Sequence, residues 1–204
     1  MTHYALSELL IVVAGAWAIR RALAQQHISV AFGIFLFSAA AAIGVIRFGF
    51  DSDGSLIAAL AYIHRLAGTL GGTAAMMALV YHLLTRRVSG ASATQSLMRR
   101  YMFISAAALA FAIAFPRLLV PLFALWSVAF IILATRRATL LKRPPAQVLF
   151  ISAFMLFNVL VFRQAAWLSP AMSWHIFHIL TALWLAGLGY LLARPTPQGD
   201  VSSA

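Results

Sequence analysis

The chain has 204 residues, of which 63% are hydrophobic and only 9% are charged, and its formal net charge is +11. Because a soluble domain carries roughly 25% charged residues, this composition excludes one and indicates a single-domain, all-α polytopic membrane protein. The lack of cysteine excludes disulfides, thiolate catalysis and thiolate metal sites. The basic residues lie in short segments between apolar runs, where membrane topology requires them, so the charge does not indicate nucleic-acid binding.

Seven apolar runs are long enough to be transmembrane helices, since a bilayer core needs about 20 residues per helix. In chain order they cover residues 4–19, 28–50, 56–84, 98–115, 118–135, 147–162 and 172–193. The fourth and fifth runs meet at the tight turn Phe115-Pro116-Arg117, and a single kinked helix there would give six spans instead. We predict a seven-transmembrane helix bundle over residues 1–194, followed by a disordered cytoplasmic tail over residues 195–204.

The basic residues are distributed unequally between the two ends of these runs. Eleven of the 15 lie in the first, third and fifth loops and in the tail. The positive-inside rule therefore predicts a cell-membrane protein with its amino terminus outside and its carboxyl terminus in the cytoplasm. In this orientation most other ionisable residues fall in one outer layer, which contains Glu8, Arg47, Asp51, Asp53, His64, Arg65, Arg117, Arg163, His175 and His178.

Three histidines form the clearest group of candidate ligands in this layer. His175 and His178 are three residues apart, so they share one face of a helix. His64 lies at a similar depth in the third run. Three imidazoles and one water make a tetrahedral zinc site, in which the metal lowers the pKa of the water to about 7. We therefore predict these three residues as metal ligands, provided that the third and seventh runs adjoin.

The acids and arginines of the layer supply the other candidates. Asp51, Asp53 or Glu8 could accept the second ring hydrogen of a ligand histidine, and Arg47 or Arg65 could stabilise an oxyanion. The catalytic candidates are thus Asp51, Asp53, Arg47 and Arg65. An anionic group would be bound by the four arginines of the layer, which are Arg47, Arg65, Arg117 and Arg163.

Each of these groups can also be explained by a purely structural role, with no ligand or catalysis. Histidines close to the interface can be wetted anchors, and arginines at helix ends can extend to lipid headgroups. The segment 51–55 can be a turn with a helix cap at Asp53 or Ser55.

The start of the seventh run resembles a known family. Ser173-x-x-x-Phe177-His178-Ile179-Leu180 is similar to the seventh-helix signature of the adiponectin-receptor and hemolysin-III group. With the alkaline ceramidases, this group belongs to a superfamily of seven-helix, zinc-dependent membrane amidohydrolases. The resemblance implies that His178 is a zinc ligand. Trp174, Arg47 and His64 stand where that superfamily has a histidine, a histidine and an aspartate, respectively.

Three functions remain open on this basis. The first is a zinc-dependent hydrolase of lipid amides or esters. The second is a non-catalytic membrane protein that binds an anionic lipid or small ligand through the arginines. The third is a b-type haem protein, with His64 and either His175 or His178 as axial ligands. Membrane lipids are the expected partners in all three.

We expect reporter fusions to confirm this topology. A phosphatase that is active only outside the cytoplasm should be active when fused after Gly54 and inactive when fused after Arg194, because the basic loops resist translocation. A fluorescent protein that folds only in the cytoplasm should show the opposite pattern. An active phosphatase at the carboxyl terminus would contradict the predicted orientation and would move the histidine layer to the cytoplasmic side.

Overall fold

A computed structural model of the chain describes residues 2–49, 55–85, 113–163 and 165–193, together with residues 96, 99, 100, 103, 106, 107 and 110. Its regular structure is helical throughout these residues. The helices are α1 (Thr2–Ala24), α2 (Ile28–Gly49), α3 (Ser55–Thr85), α4 (Leu119–Arg136), the four-residue α5 (Ala138–Leu141), α6 (Pro145–Val161) and α7 (Pro170–Leu192). A 3-10 turn over Pro116–Leu118 precedes α4.

The predicted all-α class is confirmed, but the predicted count of seven spans is not supported. Six of the seven apolar runs coincide with six long helices in the described part of the chain, with ends that differ by at most five residues. Half of the remaining run, 98–115, lies outside the described residues, and its described positions up to 114 are helical. By length and composition, four helices can cross a membrane, namely α2, α3 from Leu56, α4 and α7, whereas the apolar α6 is shorter.

The six long helices form a closed ring. Each packs against the next long helix along the chain, and α7 packs back against α1. Short connections explain most of this order, because a short loop makes consecutive helices antiparallel neighbours. The exception is the step from α3 to α4, which residues 86–118 separate. Gln26 lies in the connection after α1, and Lys142 directly follows α5. Both residues have left-handed backbone conformations, with φ of 57° and 52°. Such residues end a helix sharply.

Buried apolar side chains pack inside the ring, and large apolar side chains also cover its outside. The buried set includes Ile34, Met76 and Trp184, each no more than 1% exposed. Phe32 and Leu125 are examples of exposed residues on the outer surface. An apolar outer surface of this kind suits a lipid environment, since contact with acyl chains costs these side chains nothing.

Helices α2 and α3 approach each other closely because glycines lie at their contact. A Cβ atom on Gly33 would lie 2.9 Å from Cα of Ala75, and a Cβ atom on Gly71 would lie 2.7 Å from Cα of Phe37. Both contacts are with backbone, which cannot move aside as a side chain can. Small residues at such contacts are typical of helices that pack within membranes.

Alternating helix direction brings the polar positions to one end of the ring. Helices α1, α3, α4 and α7 begin at this end, while α2 and α6 end there. Short connections reverse the chain from α1 to α3 and again from α4 to α7. Helix α4 runs in the same direction as α3, since Phe123 near its start meets Gly72 and Arg137 after its end donates to the carbonyl oxygen of Leu83. Glu8, Arg47, His64, Arg163 and His178 therefore lie at the same end, as the predicted outer layer required.

The α2–α3 contact predicts that Gly71→Ala destabilises the protein. The added methyl group would overlap the backbone of α2, and overpacking of this kind costs roughly 1–3 kcal/mol, or about 2–10 °C in Tm. Gly68→Ala is the matched control on the same helix, because its Cβ would meet nothing within 4 Å. Thermal unfolding in detergent should show Gly68→Ala at or above the wild-type Tm, and equal losses in both variants would contradict the packing described.

Candidate functional site

A cavity of about 550 Å³ lies inside the ring near this polar end. Every one of the six long helices contributes to its wall. The polar residues that line it are Glu8, Arg47, His64, Arg65, Thr69, Arg163, Ser173 and His178. Ligand-binding pockets have volumes of about 300–1,000 Å³, so this cavity is large enough for a small organic molecule.

The carboxylate of Glu8 is the centre of this polar wall. The residue is only 1% exposed. Its Oε1 atom lies 3.1 Å from Nε2 of His64 and 3.1 Å from Nε2 of His178. These contacts are close but poorly aligned, since Oε1 has no hydrogen-bond partner of good angular geometry. A buried carboxylate within an apolar helix is costly without polar neighbours, so this one oxygen ties α1 to both α3 and α7.

The other nitrogen of each histidine determines where its hydrogen lies. Nδ1 of His178 is 2.7 Å from the carbonyl oxygen of Trp174, which can only accept, so this Nδ1 carries a hydrogen. Nδ1 of His64 lies 3.5 Å from Nη1 of Arg47, which can only donate. The Nε2 atoms of both histidines thus face the same carboxylate oxygen.

A glycine makes room for this cluster. A Cβ atom on Gly44 would lie 2.7 Å from Cδ of Glu8 and 2.9 Å from Cε1 of His64. Any larger residue on α2 at this point would therefore displace the carboxylate from its position between the histidines.

Polar contacts between α6 and α7 hold His178 at its position. The side-chain amide of Asn158 donates to the carbonyl oxygen of Phe177 at 2.8 Å and to Oγ1 of Thr181 at 3.0 Å. Ser173 donates to the carbonyl oxygen of Phe162 at 2.5 Å. The ring of Trp174 stacks on that of His178, with centroids 4.3 Å apart. These contacts fix both the rotation and the depth of α7.

Three arginines line the cavity. Arg47 is partly buried and lies over the ring of Phe48 at 4.5 Å, and it is close enough to Arg65 for the two cations to repel each other. Arg65 and Arg163 are exposed. Desolvation by neighbouring atoms lowers the pKa of Arg163, but a guanidinium keeps its charge at any ordinary pH. Within the described residues, none of the three forms an ion pair with a carboxylate.

The other predicted site residues lie elsewhere. Nδ1 of His175 is 3.2 Å from Oγ of Ser7, and its ring stacks on Tyr4, so His175 does not join His64 and His178 at the cavity. Arg117 is exposed in the 3-10 turn, away from the cavity wall. Asp51 and Asp53 lie outside the described residues.

The structure brings together donor types that zinc uses, but it does not arrange them as a metal site. Two imidazoles and one carboxylate are suitable donors for zinc, and the Trp174 carbonyl is the kind of partner that a ligand histidine uses. However, the described residues contain no group of three or more histidines or acids placed to hold a metal ion. A haem iron between His64 and His178 would have to displace Glu8, which contacts both. Zinc and haem b thus stay predictions.

The central role of Glu8 was missed from the sequence, in which it was one of three possible partners for a metal-bound histidine. One signal could have found it, because Glu8 is the only acidic residue inside an apolar run and such residues usually have a specific partner. The contribution of Gly44 has no sequence signal, since it depends on which residues face that glycine.

No protein-family model matches the chain, and no curated protein or solved structure is significantly similar to it. The resemblance of residues 173–180 to the amidohydrolase superfamily therefore stays a prediction that rests on those residues.

Double-mutant cycles should show which histidine interacts with Glu8. We expect Glu8→Gln and His178→Gln to be coupled by about 0.5–3 kcal/mol in the free energy of unfolding, because their side chains are in direct contact. The matched cycle with His175→Gln should give less than about 0.5 kcal/mol, the limit of additivity for separate sites. Equal coupling in the two cycles, measured by unfolding in mixed micelles, would refute the assignment of His178 to the cluster.

Proposed function

We propose that this chain is an integral membrane protein whose interior cavity binds an anionic amphiphile, with the acidic group at the arginines and the apolar part deeper in the ring. The observation that carries the proposal is the imbalance of charge at the cavity. Among the residues that the structure describes, three arginines line it, while the only acidic residue in its wall is Glu8.

Electrostatics favours an anion at this position. Cations beside a cavity with apolar walls raise the local concentration of anionic ligands. The planar guanidinium group binds carboxylate and phosphate oxygens through two parallel hydrogen bonds. Arg47, Arg65 and Arg163 come from α2, α3 and the segment after α6, so an anion among them would be held from three sides of the ring.

The deeper wall of the cavity favours an apolar chain. Ile11, Phe37, Phe123, Met155 and Val159 line this part, and all of them are buried. Burying apolar ligand surface against such side chains contributes roughly 25 cal/mol per Å². A single-chain amphiphile satisfies both parts of the cavity, whereas a purely polar anion would leave the deeper part empty.

Hydrolysis at zinc and haem binding are less well supported by this geometry. For zinc, the described residues contain no group placed as ligands, and for haem, His64 and His178 would have to leave Glu8. The anion-binding proposal requires no such change, because the arginines already line the cavity.

The distribution of basic residues extends the proposal to orientation. If the amino terminus is outside, the mouth of the cavity opens near the outer surface of the membrane. A ligand could then enter from the outer leaflet or from the outer aqueous phase. A seventh span over residues 98–115 would return the chain to this outer end before α4.

Binding measurements on the purified protein test the proposal. We expect dodecanoate and dodecyl phosphate to bind and uncharged dodecanol to bind much more weakly. Arg47→Gln and Arg65→Gln should each weaken binding of the anions about tenfold, since a hydrogen bond to a charged group contributes roughly 1.5–3 kcal/mol and part of this is lost to solvent screening at an exposed site. Native mass spectrometry or quenching of tryptophan fluorescence can measure the affinities.

Arg21→Gln is the matched control, because Arg21 lies over Trp17 near the opposite end of α1. It should bind both anions as the wild type does. Equal binding of dodecanol and dodecanoate, or equal losses in all three variants, would show that the arginines of the cavity do not recognise an anion.

A further inference from the structure

We infer that the cavity selects its ligand by the length of the apolar chain, with Phe37 and Phe123 closing the deep end and Gly68 leaving room for the chain. The inference rests on the proposed function and names its ligand class, a medium-chain acid.

The direction of each helix gives the depth of the residues that line the cavity. Helix α3 begins at the polar end, and its lining residue Gly72 follows Arg65 by seven residues, or about 10 Å at 1.5 Å per residue. Helix α2 runs the other way, and its lining residue Phe37 precedes Arg47 by ten residues, or about 15 Å. Both helices therefore place a deep lining residue about 10–15 Å from an arginine.

Two aromatic rings close this deep end. A Cβ atom on Gly72 would lie 3.3 Å from Cε2 of Phe123 and 3.5 Å from Cε2 of Phe37, so the two rings converge on that glycine. The ring of Phe37 packs in turn against Trp184, with centroids 6.2 Å apart, and Trp184 is only 1% exposed.

The wall of the cavity ends at the level of these rings. Among the described residues of α3, none beyond Gly72 lines the cavity, and Met76, one turn further along, is completely buried. Protein interiors are packed closely enough to resist the insertion of extra groups. A chain that reaches Phe37 and Phe123 therefore cannot extend further without displacing side chains of the core.

Between the arginines and this deep end, Gly68 leaves space for the chain. It lines the cavity and lies three residues beyond Arg65 and four residues before Gly72. A Cβ atom on Gly68 would meet no atom within 4 Å. A larger side chain at this position would therefore occupy the cavity itself, at a depth that the chain of the ligand must pass.

These depths correspond to a chain of medium length. With carbon–carbon bonds of about 1.5 Å, an extended alkyl chain advances about 1.25 Å per carbon, so roughly 8–12 carbons cover the distance between the arginines and the two rings. Carbons beyond this number remain outside the apolar part of the cavity and add nothing to binding there.

A series of saturated acids from hexanoate to hexadecanoate tests the length limit in the intact protein. Each added methylene should tighten binding about fourfold while the cavity still buries it. We expect this increase to stop between octanoate and dodecanoate, with affinities measured against free aqueous ligand by equilibrium dialysis. An increase that continues unchanged to hexadecanoate would show that the deep end is open and would overturn the inference.

Two variants should move the limit in opposite directions. Phe123→Leu removes ring atoms that face Gly72, so tetradecanoate should bind about tenfold more tightly than to the wild type. Gly68→Leu fills part of the cavity, so dodecanoate should lose at least about tenfold in affinity while hexanoate changes by less than about twofold. A damaged fold cannot produce the gain in Phe123→Leu, so that gain identifies a deeper cavity.

Phe130→Leu is the matched control for Phe123→Leu. Phe130 lies two turns further along α4, is 3% exposed and does not line this cavity. The variant should keep the wild-type length limit. An unchanged limit in both Phe123→Leu and Gly68→Leu, or an equal shift in Phe130→Leu, would refute the roles assigned to these residues.

The outcomes separate this inference from the proposed function. The length limit is measured with one acidic group, and the preference for an anion is measured at one chain length, by comparing dodecanoate with dodecanol. A length limit shared equally by acids and primary alcohols would keep the chain site and remove the proposed function. A preference for the anion without a length limit would keep the proposed function and remove the inference.

Discussion

The contact of one buried carboxylate with two histidines organises the functional end of this protein. Glu8 lies on α1, and its Oε1 atom is 3.1 Å from both His64 on α3 and His178 on α7. A carboxylate has almost no stable position inside an apolar bundle unless polar groups surround it. The helices that carry those groups must therefore remain adjacent at this depth, and the cavity is the space that this adjacency leaves inside the ring.

The ring combines tight and open packing. Gly71 allows the backbones of α2 and α3 to approach closely, and Gly44 gives the Glu8 carboxylate its space. Close contact between helices compensates for the lack of a hydrophobic driving force in lipid. The stability gained along α2 and α3 lets the molecule keep a cavity and an incompletely satisfied carboxylate at its polar end.

Electrostatics at the cavity follows from where the cations lie relative to Glu8. The carboxylate is occupied by histidines, so it neutralises none of the three arginines through direct contact. All three arginines line the cavity. A ligand that brings its own anion offsets this charge.

The sequence by itself determined the helices, because long apolar runs between polar loops have few alternatives in a chain of this composition. It also placed Arg47, His64, Arg163 and His178 at one end, since the direction of each helix follows from the order of the runs. Only the tertiary structure decided which of these residues meet. His175 and His178 share a helix face, yet one contacts Ser7 and the other contacts Glu8, because helix rotation and the neighbouring helix decide what each side chain faces. The role of Glu8 was likewise visible only in the tertiary structure, since it depends on contacts among three helices that are far apart in the chain.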